Sequence, residues 1–228
     1  MEDIKFNHTL PIQLRFNDVD KFGHVNNTVY FSFYDLGKTE YFASVCPHVD
    51  WQVMREGGVI LYPTDTIWGI GCDATNEDAV RRVYEIKQRQ DSKAMLVLVD
   101  SSVKVDFYVR DVPEVAWDLI DLADKPLTII YSGARNLAAN LLAEDGSVGI
   151  RVTNEDFSKR LCQQFRKAIV STSANISGQP SPKNFSEISE EVKSAVDYIV
   201  GYRQEEMSNP KPSSIIKLDK FAPITNKV

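Results

Sequence analysis

Three hydroxyls in a row, Ser171, Thr172 and Ser173, end the apolar run AIVSTS and are followed by Asn175 and Gly178 in STSANISGQPSP. Each hydroxyl can donate one hydrogen bond and accept two, the amide both donates and accepts, and the glycine lets the loop close. At a strand end such a row can cradle an anion or a nucleotide, or it can satisfy itself as a Ser/Thr-rich turn. A second stretch, VILYPTDTIWGIGCDAT, runs a strand into Pro63 and places Thr64 and Thr66 on either side of Asp65, with Gly69 and Gly71 beyond. Small hydroxyls and backbone N–H groups there can bind a small polar ligand, and the same residues can also form an ordinary turn with satisfied hydroxyls. Its G-x-G lacks the third glycine of a dinucleotide fingerprint.

The cations follow. In YEIKQRQDSKAM, Lys87 and Arg89 are two positions apart and cannot share a helix face, so they converge only where the helix ends. There the helix dipole favours positive charge, and Lys93 can join them against a triphosphate; the alternative is a solvated charge run capping the helix. Arg151 interrupts the apolar strand VGIRV, a costly position unless the guanidinium reaches a carboxylate or a phosphate in a polar cleft.

These groups need a scaffold, and the chain supplies alternating elements. The runs at 59–62, 94–100, 127–132, 148–153, 168–173 and 213–219 are expected to be strands, most of them continuous apolar runs suited to a sheet covered on both faces. NEDAVRRVYEIKQR, PEVAWDLIDLAD, EDFSKRLCQQFRKA and SEISEEVKSAVD carry helical spacing with acidic first turns, and the first is expected to start near Asn76 and bury Val80, Val83 and Ile86. The result is an α/β domain from about residue 52 onward. With 228 residues, 43% hydrophobic and 25% charged, the chain can bury a core of that size. Its net charge of −6 argues against broad electrostatic binding to nucleic acid and requires any polyanion to find a specific site.

Cys46, Cys72 and Cys162 form no C-x-x-C pair, so reduced thiols are expected rather than a disulfide framework or a zinc module. Cys46 and His48 alone do not amount to a metal site. The acidic start MEDIKFNHTLPIQ has no apolar h-region, and no later run approaches the roughly 18 apolar residues of a membrane span. A soluble cytoplasmic protein without a membrane partner is expected.

Taken in order, YPTDTIWGIG, IKQR with its K-x-R, KPLTIIY, VGIRV, STSANISG with its S-x-N, and PSSII resemble the YrdC-like threonylcarbamoyl-AMP synthase family from about Val53 to Asp219. The resemblance implies a YrdC-like twisted mixed sheet with flanking helices over residues 52–228. It implies a nucleotidyltransferase that joins ATP, L-threonine and bicarbonate into threonylcarbamoyl-AMP and pyrophosphate. The product would serve N6-threonylcarbamoyladenosine modification of tRNA through a downstream threonylcarbamoyl transferase complex, with tRNA itself as a further partner. Carried over residue by residue, Lys87, Arg89 and Lys93 would hold the ATP phosphates, Lys87 and Arg89 as the catalytic pair, with Ser147, Ser173, Asn175 and Ser181 around the nucleotide. Thr66, Arg151, Ser171 and Ser213 would bind threonine, Arg151 through the carboxylate. Magnesium would be carried by the phosphates, since no carboxylate cluster suggests a protein cage. A nucleotide or double-stranded RNA binding module without turnover is the alternative reading.

Two departures accompany the resemblance. Relatives often carry a histidine in the strand after K-x-R, where this chain has Leu96, Val97, Leu98 and Val99, and they usually end in a strand with an arginine near the nucleotide, where this chain ends FAPITNKV.

Residues 1–51 read differently. RFNDVDKFGHVNNTVYFSFYDLGKTEYF resembles the first strand, turn and central helix of hotdog-fold acyl-CoA thioesterases, with Asp20 at that family's catalytic carboxylate. About 50 residues lack the strands needed to bury Phe31, Tyr34 and Phe42, so an incomplete hotdog-like segment is expected, with thioesterase activity the least favoured function.

Overall fold

The computed structural model describes residues 11–13, 18–19, 24–25, 29–34, 36–37, 51–88, 95–207, 212–219 and 222–226. The chain divides into two units, Met1–His48 and Val49–Val228. In the first, an isolated antiparallel bridge joins Val19 to Val25 and residues 29–34 and 36–37 are helical. Phe31 and Tyr34 are exposed there, while Asp20, Phe42, Cys46 and His48 lie outside the described residues.

The second unit is an α/β fold. Among its described residues are helices α1 (Trp51–Arg55), α2 (Glu77–Ile86), α3 (Val103–Tyr108), α4 (Glu114–Asp121), α5 (Asp156–Phe165) and α6 (Glu190–Ala195). The strands are β1 (Ile60–Tyr62), β2 (Gly69–Gly71), β3 (Leu96–Val99), β4 (Leu127–Tyr131), β5 (Val148–Val152), β6 (Ile169–Ser173), β7 (Tyr198–Ile199), β8 (Ser214–Asp219) and β9 (Ala222–Asn226). They form one mixed sheet in the order β7-β1-β2-β6-β3-β5-β4-β8-β9. The β1/β7, β3/β5 and β4/β8 pairs are parallel and the others antiparallel. All six expected strands form. Residues of β1, β3, β5 and β6 are buried almost throughout, as continuous apolar runs in a covered sheet should be.

Sequence reasoning did not anticipate β7, β9 or β2, and β2 escaped it because GIG has little strand propensity. Its backbone is drawn in by close packing: a Cβ on Gly71 would lie 2.5 Å from Tyr62 Cε1 and 2.6 Å from the Val170 carbonyl oxygen. Only glycine lets β2 lie this close to its neighbours. The hydroxyl-bearing end of β6 is thereby brought beside the Thr64–Thr66 turn, since Gly69 pairs with Ser173 and Ile70 with Thr172.

Helix α2 begins as its sequence dictates. The Asn76 side chain accepts from the N–H groups of Asp78 and Ala79, with Glu77 and Asp78 in the first turn, and Ala79, Val80, Val83 and Tyr84 face the core. Ile86, expected to be buried, is only partly so, because the helix ends there with Lys87 as its C-cap. Cys72 and Cys162 are buried free thiols, and desolvation pushes both above the usual thiol range.

Asp197, between α6 and β7, ties α2 to β1. Its Oδ2 accepts from the Val59 N–H at 2.7 Å, and Arg82 forks onto both carboxylate oxygens at 2.7 and 2.9 Å. The Arg82 hydrogen bonds hold this carboxyl below its ordinary value of 3.8. A lowered folded value means that the contribution is present above 3.8 and lost as pH falls through the folded value. Urea melts at falling pH should show the wild type losing stability in acid and Asp197→Asn responding less over that range. Because Arg82 and Asp197 are each more than a third exposed, solvent screening keeps the effect modest.

Candidate functional site

The turn between β1 and β2 is organised by Thr64. Its hydroxyl donates to the Ile67 carbonyl at 2.7 Å, accepts the Thr66 N–H at 3.1 Å and lies 3.1 Å from the Thr66 hydroxyl. This is the internally satisfied turn that the sequence left open, and it also presents Thr66 to a cleft. That cleft, about 310 Å³, is walled by Thr64 and Thr66 from the turn, Arg151 from β5, Ser171 to Ser173 from β6, Ser181 from the following loop and Ser213 ahead of β8. Register explains the convergence: Arg151 lies opposite Leu98 of β3 and Thr128 of β4, while Ser171 lies opposite Leu96.

Thr66, Arg151, Ser171, Ser173, Ser181 and Ser213 therefore share one cavity, although 147 positions separate the first from the last. Ser147 lies in a second groove of about 590 Å³ with Asp145, Gly149 and Lys217. Met95, Leu96 and Ile215 line both spaces, so the two adjoin. Leu96, the first residue of β3, presents an apolar surface at that junction. The groove's polar end is fixed by Lys217, 2.8 Å from Asp145, with the Ser147 N–H on the other carboxylate oxygen at 3.0 Å. The Lys217 and Ser147 hydrogen bonds hold the Asp145 carboxyl well below the usual range.

Arg151 is almost wholly buried, and its carboxylate partner is Asp65, 2.9 Å from Nη2. The contact is ionic without an aligned hydrogen bond: Asp65 Oδ1 and Arg151 Nε have no hydrogen-bond partner. Burial raises the Asp65 carboxyl above its ordinary value, outweighing the attraction of Arg151, and the nearby Glu155 charge adds to the rise. The guanidinium carries five N–H donors, more than Asp65 engages, so on the wall of the cleft it is suited to a further anionic or carbonyl oxygen.

Lys87 and Asn175 are placed differently from a cation and an amide open to a ligand. The Lys87 ammonium donates to the carbonyls of Ser173 at 2.6 Å and Asn175 at 2.8 Å, with Ser173 Oγ and Asn175 Oδ1 at 3.5 and 3.4 Å. In return, the Ser177 N–H donates to the Lys87 carbonyl at 2.9 Å. The Asn175 amide donates to the carbonyls of Ile176 and Gln179. Both residues shape the loop after β6 from within, and Lys87 is 2% exposed. Arg89 and Lys93 lie outside the described residues.

Several contributors carried no sequence signal. Thr128 shares a 2.9 Å hydrogen bond with Ser213 across the β4/β8 edge, and the Asp145–Lys217 pair joins residues 72 positions apart. The cleft wall offers hydroxyls and a guanidinium and no carboxylate, a donor set for anions. Among the described residues no group of three or more His, Cys, Asp or Glu side chains could hold a metal, and no helix is long and apolar enough to cross a membrane.

The Sua5/YciO/YrdC family model, described as telomere recombination, matches residues 52–225. The chain belongs to this family. The match to the Sua5/YciO/YrdC model spans the sheet and all the described cleft residues, and a second model, the acyl-ACP thioesterase C-terminal domain, matches residues 1–40. Among curated relatives, the threonylcarbamoyl-AMP synthase of Pseudoalteromonas translucida is 36% identical over 167 residues, 71% of this chain and 87% of that protein. Among solved structures, P. abyssi Sua5 complexed with L-threonine superposes with a TM-score of 0.70 at 24% identity, covering 77% of this chain and 51% of that one. E. coli YciO gives a TM-score of 0.66 at 24% identity, covering 78% and 86%. These two structures establish the fold, and the chain spans about half the length of the P. abyssi protein.

Proposed function

We propose that residues 52–228 act as a threonylcarbamoyl-AMP synthase, a cytoplasmic nucleotidyltransferase that makes threonylcarbamoyl-AMP and pyrophosphate from ATP, L-threonine and bicarbonate. The product would be handed to a threonylcarbamoyl transferase complex that modifies tRNA. One observation carries the reading: segments far apart in sequence deliver Thr66, Arg151, Ser171 and Ser213 to a single cleft with Ser173 and Ser181, beside a larger groove that contains Ser147. The name of the Pseudoalteromonas relative and the threonine complex of P. abyssi Sua5 support the same assignment.

On this reading the threonine carboxylate meets Arg151 and its hydroxyl meets the side chains of Thr66, Ser171 and Ser213. The threonine nitrogen bonds to the bicarbonate carbon with loss of water and a proton, giving a carbamate. A carbamate oxygen then bonds to the α-phosphorus of ATP as the bond to pyrophosphate breaks. The carbamate oxygen is already nucleophilic, so the chain's task is alignment and neutralisation of charge rather than general-base chemistry. Ser173, Ser181 and the backbone of the loop braced by Lys87 face the phosphates, with Arg89 and Lys93 as further cations. With no carboxylate on the cleft wall, magnesium would be held by the triphosphate itself and would neutralise its charge.

The test is incorporation of isotope-labelled bicarbonate into a nucleotide adduct that requires both ATP and threonine. Nucleotide binding without incorporation would contradict the proposal. Residues 1–51 are read as an incomplete hotdog-like segment outside the catalytic domain, so deletion of residues 1–48 should leave incorporation largely intact. A folded truncation without activity would overturn that division.

A further inference from the structure

The Thr64–Thr66 turn is held from a second side by a residue that neither borders the cleft nor belongs to the motifs that brought the family to light. Arg203, in the loop after β7, donates from Nη1 to the Thr64 carbonyl at 3.3 Å. The same nitrogen lies 3.4 Å from Glu155 Oε1, while Nε pairs with Glu206 Oε2. Glu155 is itself immobilised as the N-cap of α5, where it accepts from the N–H groups of Phe157 and Ser158 at 3.1 and 2.7 Å. The guanidinium is thus anchored on a helix end and reaches across to the turn.

We propose that Arg203 is a positioning residue for the threonine pocket, setting the Thr64 backbone and, through the Thr64 hydroxyl, the orientation of Thr66. This inference rests on the synthase reading. Three observations carry it. The chain of contacts is continuous: Arg203 to the Thr64 carbonyl, the Thr64 hydroxyl to the Thr66 N–H and hydroxyl, and Thr66 on the cleft wall. The space between Arg203 and the turn, bordered by Pro63, Thr64, Thr66 and Trp68, is about 10 Å³. That is no more room than about one water requires, so Arg203 supports the turn and does not bind substrate from behind it. Arg203 also has a φ of 61°, the left-handed region that side chains rarely adopt and that persists where surrounding contacts hold it.

The turn is thereby fixed at two adjacent residues by two arginines, Arg151 on the Asp65 carboxylate and Arg203 on the Thr64 carbonyl. Only the first borders the cleft. Removing the second should tilt Thr66 and weaken threonine binding while leaving the nucleotide groove unchanged.

The experiment compares the full chain with Arg203→Gly, which accommodates the positive φ without the guanidinium, and Arg203→Lys, which retains a cation. Pyrophosphate release is measured while threonine and ATP are varied separately. Arg203→Gly should raise the threonine KM about tenfold with kcat and the ATP KM within about twofold, and Arg203→Lys should show a smaller rise. An unchanged threonine KM, or equal rises for both substrates, overturns the proposal. If Arg203→Gly does not fold, Glu206→Gln, which loosens the guanidinium, should give the same selective rise at lower amplitude, and its absence overturns the proposal equally. A wild type without threonine-dependent release contradicts the synthase reading and this proposal together, whereas an active wild type with unaffected variants contradicts this proposal alone.

Discussion

Arg151→Leu should abolish threonine-dependent turnover and lower folding stability by about 3 kcal/mol at neutral pH, the scale expected when one partner of a buried ion pair is removed. An arginine in an apolar strand read without its partner suggests the opposite, that an apolar residue would leave the fold intact or firmer. The structure reverses that expectation because Asp65, only 10% exposed at its side chain, would be left as an uncompensated carboxylate. The sign with pH follows. Asp65 already lies above its ordinary 3.8, so its favourable contribution is fullest below 3.8 and is lost as pH rises through the folded value. Without the attraction of Arg151 that value moves higher still, and the stability deficit should widen as pH is raised through and beyond the wild-type folded value. Adding Asp65→Asn to Arg151→Leu should recover much of the stability and none of the turnover. Recovery of both would show that the pair is structural and that threonine binds elsewhere.

The second large effect is expected at Lys87. Lys87→Met keeps most of the side-chain volume but leaves the Ser173 and Asn175 carbonyls without their ammonium, at a cost of about 2 kcal/mol. The loop after β6 carries the hydroxyls that face the substrates, so kcat/KM should fall about 100-fold through misplacement of the whole loop. Both the ATP and the threonine dependence should deteriorate together with thermal stability. A variant that loses ATP affinity alone, with wild-type stability, would show that Lys87 acts as a direct phosphate ligand.

These two residues also show what the sequence could and could not convey. Arg151 was legible because a charge inside VGIRV has no reason to be there without a polar partner, yet whether that partner was a ligand or Asp65 was undetermined. The spacing of Lys87 at a helix end was equally plain. Its partners are backbone carbonyls 86 and 88 positions away, and backbone atoms leave no trace in residue types. The strands with continuous apolar runs were recognisable, whereas β2 was hidden because its Gly71 is dictated by the approach of Tyr62 and Val170 rather than by propensity. Strand β9 was hidden in FAPITNKV, since it exists through its pairing with β8. Arg203 lies beside a Pro/Ser-rich stretch that reads as a loop, and nothing local indicates that its guanidinium reaches Thr64, 139 positions earlier.

The most direct test of the central claim is pyrophosphate release by the full chain supplied with ATP, bicarbonate and L-threonine, with each substrate omitted in turn. The site described here predicts release that requires all three and that disappears in Arg151→Leu. Release that continues undiminished without threonine would contradict it.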